Sequence, residues 1–130
     1  MLLCGGEYAQ AFLSFGEEDK MKQYVIDQLR DSDYDKILEY LQKNSDVSEF
    51  GDVFWVKIPS DLYTQVQREH EKCRPFCFAV NISPDQASFE MLVRSRQVLR
   101  CNCIGYADER QRDYIINYAD RMLDELKIKI

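Results

Sequence analysis

The chain lacks any apolar run close to the roughly 20 residues that a membrane-spanning helix needs. It also lacks a secretory leader, because the apolar start at residues 1–4 is too short and no basic residues precede it. Internal repeats and low-complexity segments are absent as well, which leaves a single packed domain as the simplest organisation. We therefore expect a cytoplasmic protein that makes no contact with a membrane.

Recognisable catalytic motifs are also missing. The sequence contains no phosphate-binding glycine loop, no dinucleotide fingerprint, no serine nucleophile elbow and no metalloprotease helix. The aromatic motif of RNA-binding sheets is absent too. We therefore predict no cofactor and favour a non-catalytic protein over an enzyme.

What the chain does have is enough apolar material for a core. Its 130 residues are 45% hydrophobic and 12% aromatic, which is typical of one globular domain spanning 1–130. Residues 1–16 are ambiguous, because their aromatic spacing fits a short docking helix while their glycines fit a loose arm.

The net charge of −6 is unevenly spread along the chain. Residues 1–61 hold 13 acids and 6 bases, whereas residues 62–106 hold 4 acids and 6 bases. An acidic first half would be repelled by phosphates, so we expect no nucleic-acid partner. The mildly basic middle either binds a small anion or neutralises the acidic helices within the fold.

Hydrophobic periodicity predicts the elements. A spacing of three to four residues favours helices, and two-fold alternation favours strands. Asp108 and Gln111 have the spacing of a capping box at the start of the last helix. The predicted helices cover 17–30, 33–43, 61–72 and 108–127, and the predicted strands cover 53–58, 76–82, 88–94 and 98–105. The fold class is then α+β, with helices first, a mainly antiparallel sheet of about four strands, and a long amphipathic helix on one sheet face.

Alternation within residues 76–105 sorts the side chains of this sheet into two faces. A four-residue turn at 84–87 and a three-residue loop at 95–97 keep apolar residues together on one face, which would include Leu99, Cys101 and Cys103. The opposite face then pairs Cys77 with Arg94. It also collects a polar cluster of Asn81, Glu90, Arg94, Arg100 and Asn102.

This polar cluster has two interpretations. Arginine can grip a carboxylate or phosphate through paired hydrogen bonds, which predicts a shallow site for a small anionic ligand. The alternative is a solvated sheet face whose cross-strand ion pairs contribute little.

The five cysteines are expected to be free thiols, because the count is odd and no export signal is present. Cys73, Cys77, Cys101 and Cys103, with His70 nearby, raise the alternative of a zinc site. Zinc needs ligands converging on one point, but strand alternation sends Cys77 to the face opposite Cys101 and Cys103. Neither cysteine spacing is the usual Cys-x2-Cys, so we expect no metal.

Cys77 is also a candidate nucleophile. A cation such as Arg94 beside it would favour the thiolate, and His70 would be the only histidine available as a base. The plainer interpretation is a half-buried thiol, with His70 on a helix surface.

Three functions follow from these patterns. The favoured one is a protein-interaction or regulatory module that binds a protein partner or a second copy through a sheet edge or the polar face. The second is a binding domain for a small anionic ligand at Arg94 and Arg100. The third is a thiol-based activity or metal site involving Cys73, Cys77 and His70.

Overall fold

The computed structural model describes residues 21–48 and 51–129 and has an α+β fold. None of the helices in these two ranges combines the length and the apolar content that a membrane crossing requires. The three α-helices are α1 (Asp31–Asn44), α2 (Gln65–Glu69) and α3 (Glu109–Leu126), and 3-10 turns lie at Ser60–Leu62 and Glu71–Cys73. The strands are β1 (Gln23–Ile26), β2 (Asp46–Val47), β3 (Val53–Lys57), β4 (Phe76–Ser83), β5 (Gln86–Glu90), β6 (Leu92–Ser95) and β7 (Gly105–Tyr106).

The sheet is antiparallel and larger than the sequence predicts, with seven strands among the described residues instead of about four. Its order is β1-β5-β4-β3-β2, and β6 pairs with both β4 and β7. The long strand β4 is central, because β3 lies on one side while β5 and β6 share the other. The predicted strand at 53–58 corresponds to β3.

The turn between β4 and β5 differs from the prediction. Ser83 pairs with Gln86, so two residues form the turn instead of the predicted four. Val80 consequently faces Phe89, whereas Cys77 still faces Arg94 as predicted. The predicted strand breaks between β5 and β6 at Met91, whose backbone bonds to Lys22 and Ala107 instead of β4. The pairing of β4 with β5 is therefore offset from the pairing of β4 with β6 by an even number of residues. An even offset leaves the side chains of β4, β5 and β6 on their predicted faces.

The core lies between one face of the sheet and helices α1 and α3. Phe76, Phe78 and Val80 on β4 are fully buried, and the ring of Phe78 meets that of Tyr118 with centroids 5.7 Å apart. The helices contribute buried side chains at the predicted spacing: Ile37 and Leu41 from α1, and Ile115, Ala119 and Met122 from α3.

The capping box at the start of α3 is confirmed. The Gln111 backbone N–H donates to Asp108 Oδ1 at 2.9 Å, and the Asp108 N–H donates to Gln111 Oε1 at 3.2 Å. The Gln111 side chain is also 99% buried, because its amide continues into the interior. Its Nε2 donates to the Leu62 carbonyl at 3.0 Å and to Gln67 Oε1 at 2.9 Å.

The first predicted helix is wrong within the described residues. Residues 23–26 form β1 on the edge of the sheet, with Tyr24 opposite Phe89. Gln28 has a φ of 58°, which a continuing helix cannot contain. Residues 17–20, and the ambiguous segment 1–16, lie outside the described residues.

The predicted helix at 61–72 is broken into three short pieces. Thr64 and Gln67 form a capping box that starts α2 anew after the first 3-10 turn. This places Gln67 in the interior and leaves Val66 exposed, although the helical pattern predicted Val66 as a core residue. The helix ends at Glu69, and a second 3-10 turn follows.

The predicted strand at 98–105 is also wrong. Residues 96–104 form a loop, and only β7 at its end returns to pair with β6. The Arg96 N–H still donates to the Pro75 carbonyl, in line with the pairing of β4 and β6. Beyond it, Ser95 Oγ accepts hydrogen bonds from the backbone of Gln97 and Val98, which turns the chain away from the sheet. As a result Leu99 is 97% exposed and does not join the apolar face.

The buried amide of Gln111 should matter more to stability than its position on a helix suggests. Replacement by leucine removes the partners of the Leu62 carbonyl and Gln67 Oε1 without opening a cavity. We expect Gln111→Leu to lower the free energy of unfolding by about 2–3 kcal/mol, the cost of burying unpaired polar groups. Denaturant titration with Gln42→Ala as the exposed control measures it, and a loss below about 0.5 kcal/mol would contradict this account.

Candidate metal centre

Four side chains with metal-binding atoms converge beside the sheet: His70, Cys73, Cys101 and Cys103. One ligand atom from each lies within 4.8 Å of the ligand atoms of the other three. His70 Nδ1 is 3.1 Å from Cys101 Sγ, and Cys73 Sγ is 3.9 Å from the same sulfur. The cluster lies at the edge of the protein interior. Cys73 and Cys103 are buried, whereas His70 and Cys101 are partly exposed.

The first ligand pair, His70 and Cys73, is set by a 3-10 turn. His70 is the C-terminal cap of α2, and its carbonyl accepts a hydrogen bond from the Cys73 N–H at 3.0 Å. A 3-10 helix has three residues per turn, so side chains three positions apart lie above one another. The turn therefore points the imidazole of His70 and the thiol of Cys73 to the same side.

The second ligand pair, Cys101 and Cys103, is set by a tight turn in the loop. The Ile104 N–H donates to the Cys101 carbonyl at 3.1 Å. The turn is held against α2 by Gln67, whose Nε2 donates to the Cys103 carbonyl at 3.4 Å. The same glutamine accepts from Gln111, so the capping boxes of α2 and α3 position this pair of ligands.

The first pair is tied to the sheet as well. Ser95, at the end of β6, donates its hydroxyl to the carbonyl of Cys73. Both ligand pairs are thus anchored through backbone carbonyls, while their side chains are left to face one another.

Two of the separations between ligand atoms are close to those of tetrahedral zinc. Zinc–sulfur bonds of about 2.3 Å and zinc–nitrogen bonds of about 2.0 Å place tetrahedral ligand atoms about 3.5–3.8 Å apart. The Cys73–Cys101 sulfur distance of 3.9 Å already matches this spacing, and the His70–Cys101 distance of 3.1 Å needs only a small adjustment. Thiolates and imidazole are soft to borderline donors, which favours zinc over calcium or magnesium.

The thiols of the second pair differ in acidity. The backbone N–H of Cys103 hydrogen-bonds the Cys101 sulfur and lowers the pKa of that thiol to about 7. Burial raises the pKa of the Cys103 thiol to about 12. Of these two thiols, Cys101 therefore ionises first, and a bound cation would supply the charge needed to ionise Cys103.

Positive residues adjoin both ligand pairs in the sequence. Lys72 and Arg74 flank Cys73, and Arg100 precedes Cys101. Three thiolates, one neutral imidazole and a divalent zinc ion carry a net charge of −1, which neighbouring cations stabilise.

The cysteines singled out in the sequence only partly coincide with this cluster. Cys73, Cys101 and Cys103 come together, but Cys77 does not belong to the group, and His70 takes the fourth position. The expectation that strand alternation places Cys77 on the face opposite Cys101 and Cys103 depended on a strand at 98–105, which does not form. The sequence signal for the first ligand pair is the spacing His70-x2-Cys73. The Thr64-x2-Gln67 capping box predicts the start of the short helix α2, and the turn that carries His70 and Cys73 follows this helix.

Cys77 lies on β4, fully buried. Burial raises the pKa of its thiol to about 11, although the nearby Arg96 opposes this shift. The net shift is therefore opposite to the thiolate-favouring effect expected of Arg94. His70 contacts Cys101 and does not serve Cys77 as a base.

The predicted polar cluster is divided between the sheet and the loop. Asn81 Nδ2 donates to Glu90 at 3.2 Å, and Arg94 forms an ion pair with Glu90 at 3.5 Å. Arg100 and Asn102 lie on loop 96–104 and not on a strand opposite them. The small-anion site at these five residues remains a prediction.

No known protein family matches this chain, and neither the curated proteins nor the solved structures contain a match. The Cys/His cluster and its surroundings are therefore the features of this chain that indicate a function.

The acidity order gives a chemical test of the cluster. In chelator-treated protein at pH 7, we expect iodoacetamide to modify Cys101 at least about tenfold faster than Cys77 or Cys103, because it is the most exposed and most acidic of the three. Its rate should rise as the pH increases through about 7. Peptide mapping by mass spectrometry separates these sites from Cys4, which lies outside the described residues. Faster modification of Cys77 would contradict the assignment.

Proposed function

We propose that this chain is a non-catalytic binding module whose structure is completed by one zinc ion held by His70, Cys73, Cys101 and Cys103. The observation that carries the proposal is the convergence of these four ligand atoms within 4.8 Å. Four protein ligands fill the tetrahedral coordination of zinc and leave no position for a substrate or an activated water, which is the arrangement of structural sites.

The role of the metal follows from what it would join. Cys73 lies before β4, whereas Cys101 and Cys103 lie in the loop after β6. Residues 98 and 99 of this loop gain little stability from packing against the core, because Val98 and Leu99 are both exposed. A bound zinc would clamp loop 96–104 to the turn after α2 and fix its conformation.

A reducing compartment such as the cytoplasm suits this proposal. Three of the four ligands are thiols, and cytoplasmic conditions keep cysteines reduced. In an oxidising compartment, Cys73 and Cys101 lie close enough for a disulfide to compete with the metal.

Metal content tests the proposal directly. Protein purified without chelator should contain about one zinc per chain by elemental analysis. Chelation should lower the melting temperature by about 10 °C, and added zinc should restore it, because a ligand that binds only the folded state stabilises it. Protein that stays metal-free and is not stabilised by added zinc would refute the site, and a Cys73–Cys101 disulfide in its place would favour the thiol-based alternative.

Single substitutions at His70 and at the cysteines show which residues bind the metal. We expect His70→Ala and Cys101→Ser to lose most of the zinc, because three ligands hold structural zinc poorly. Cys77→Ala should retain one zinc per chain, even if the small cavity lowers its stability. Cobalt(II) substitution, read by absorption, reports tetrahedral thiolate coordination. Equal metal loss in Cys77→Ala and Cys101→Ser would reject the ligand set.

A further inference from the structure

We propose that a groove beside the cluster, between the outer sheet face and loop 96–104, binds an acidic peptide segment of a partner protein. This inference rests on the proposed zinc site, because the zinc-clamped loop forms one wall of the groove. The groove has a volume of about 400 Å³. It is lined by Trp55 on β3, residues 94–99, and Ile104.

The apolar part of this groove is unusual for a surface loop. Trp55 is partly exposed on the sheet face that the helices do not cover. Ile104 is partly buried, whereas Leu99 is 97% exposed and Val98 is exposed beside it. Tryptophan and arginine dominate binding energies at protein interfaces. A tryptophan next to a fully presented leucine therefore offers two anchor points for the apolar side chains of a peptide.

The charged part selects an acidic partner. Among the described residues, Arg94 and Arg96 are the charged side chains that line the groove, and no acid does. The guanidinium of Arg96 lies 5.0 Å from the centre of the Trp55 ring, which holds it in place by a cation–π contact. Each arginine has one acidic partner at the rim, so the lining itself presents guanidinium groups to a carboxylate.

Both arginines retain capacity for a further carboxylate. The ion pair of Arg94 with Glu90 is long at 3.5 Å, and that of Arg96 with Asp46 is longer at 3.8 Å. Long, partly exposed pairs of this kind contribute little, so a peptide carboxylate can replace them at small cost.

The shape of the groove favours a peptide over other anionic ligands. Small-molecule sites enclose most of the ligand surface, but this groove is open along the side of Leu99. Nucleic acid would need a longer track of cations, and Glu90 and Asp46 flank the two arginines here. An extended segment with alternating acidic and apolar side chains satisfies both the arginines and the apolar wall.

Binding should depend on the metal. Leu99 lies two residues before the ligand Cys101, so the geometry that fixes the cluster also fixes the position of Leu99. Without zinc the loop would have to be ordered by the peptide itself, which lowers affinity. Zinc and peptide should therefore each strengthen the binding of the other.

Peptide selection tests the docking surface. A display library of random twelve-residue peptides is selected against the zinc-loaded full chain, and enriched sequences are synthesised with a fluorescent label for anisotropy titration. We expect enrichment of aspartate and glutamate together with large apolar residues. Arg96→Glu and Leu99→Asp should each weaken binding at least tenfold, whereas the matched controls Arg121→Glu and Val25→Asp should not.

The outcomes separate this inference from the zinc site. Failure to enrich peptides, enrichment without acids, or equal binding by Arg96→Glu would each overturn the docking surface while zinc content stays at one per chain. Zinc-free protein that binds the peptides equally well would overturn the coupling between peptide and metal, whereas the zinc site itself is judged by the zinc content. A concentration-dependent dimer in light scattering, abolished by Arg96→Glu, would place a second copy in the groove and overturn the proposal of a foreign peptide.

Discussion

The structure around the candidate centre depends on one buried contact, the 2.9 Å hydrogen bond between the amides of Gln111 and Gln67. Each glutamine also closes the capping box of its own helix, so one bond joins the starts of α2 and α3. Gln67 then holds the carbonyl of Cys103. Because these amides are buried, each hydrogen bond counts for more than it would in water, and the network fixes the loop at a definite position.

The central strand provides the second constraint. β4 is apolar toward α1 and α3 and contributes small or apolar residues, Cys77 and Ala79, to the outer face. Trp55 and the arginines of β6 and its loop cover that outer face. The fold thus places the helices on one side and leaves the other side to the loop, so the groove and the Cys/His cluster adjoin the same segment.

The sequence predicted those parts of the structure whose pattern is local. The α3 helix, its Asp108–Gln111 cap and the two faces of β4 follow from periodicity and hydrogen-bonding side chains alone. Alternation assigns the side chains of β4, β5 and β6 to the correct faces in spite of the incorrect turn, because the error in the register of β5 is even. β1 was missed because its helical spacing is overridden by pairing with β5, a contact distant in sequence.

The candidate site was harder to predict because its ligands come from turns rather than from regular elements. Alternation applies only within a strand, and residues 98–104 do not form one. Ser95 redirects the chain with a side-chain hydrogen bond, a competitor to strand pairing that hydrophobic patterns do not reveal. The sequence raises Cys73, Cys77, Cys101 and Cys103, with His70 nearby, as a less favoured zinc alternative. The structure brings His70, Cys73, Cys101 and Cys103 together and leaves Cys77 on β4.

The ligand pairs stand on either side of the segment that forms β4, β5 and β6. In the unfolded chain each pair is a separate two-donor fragment, and both fragments meet only after the strands between them have paired. Capture of a metal would therefore be a late event in the assembly of this chain, because distant contacts must form before it. A bound ion would join two turns that flank the completed strands β4, β5 and β6, and would oppose their separation.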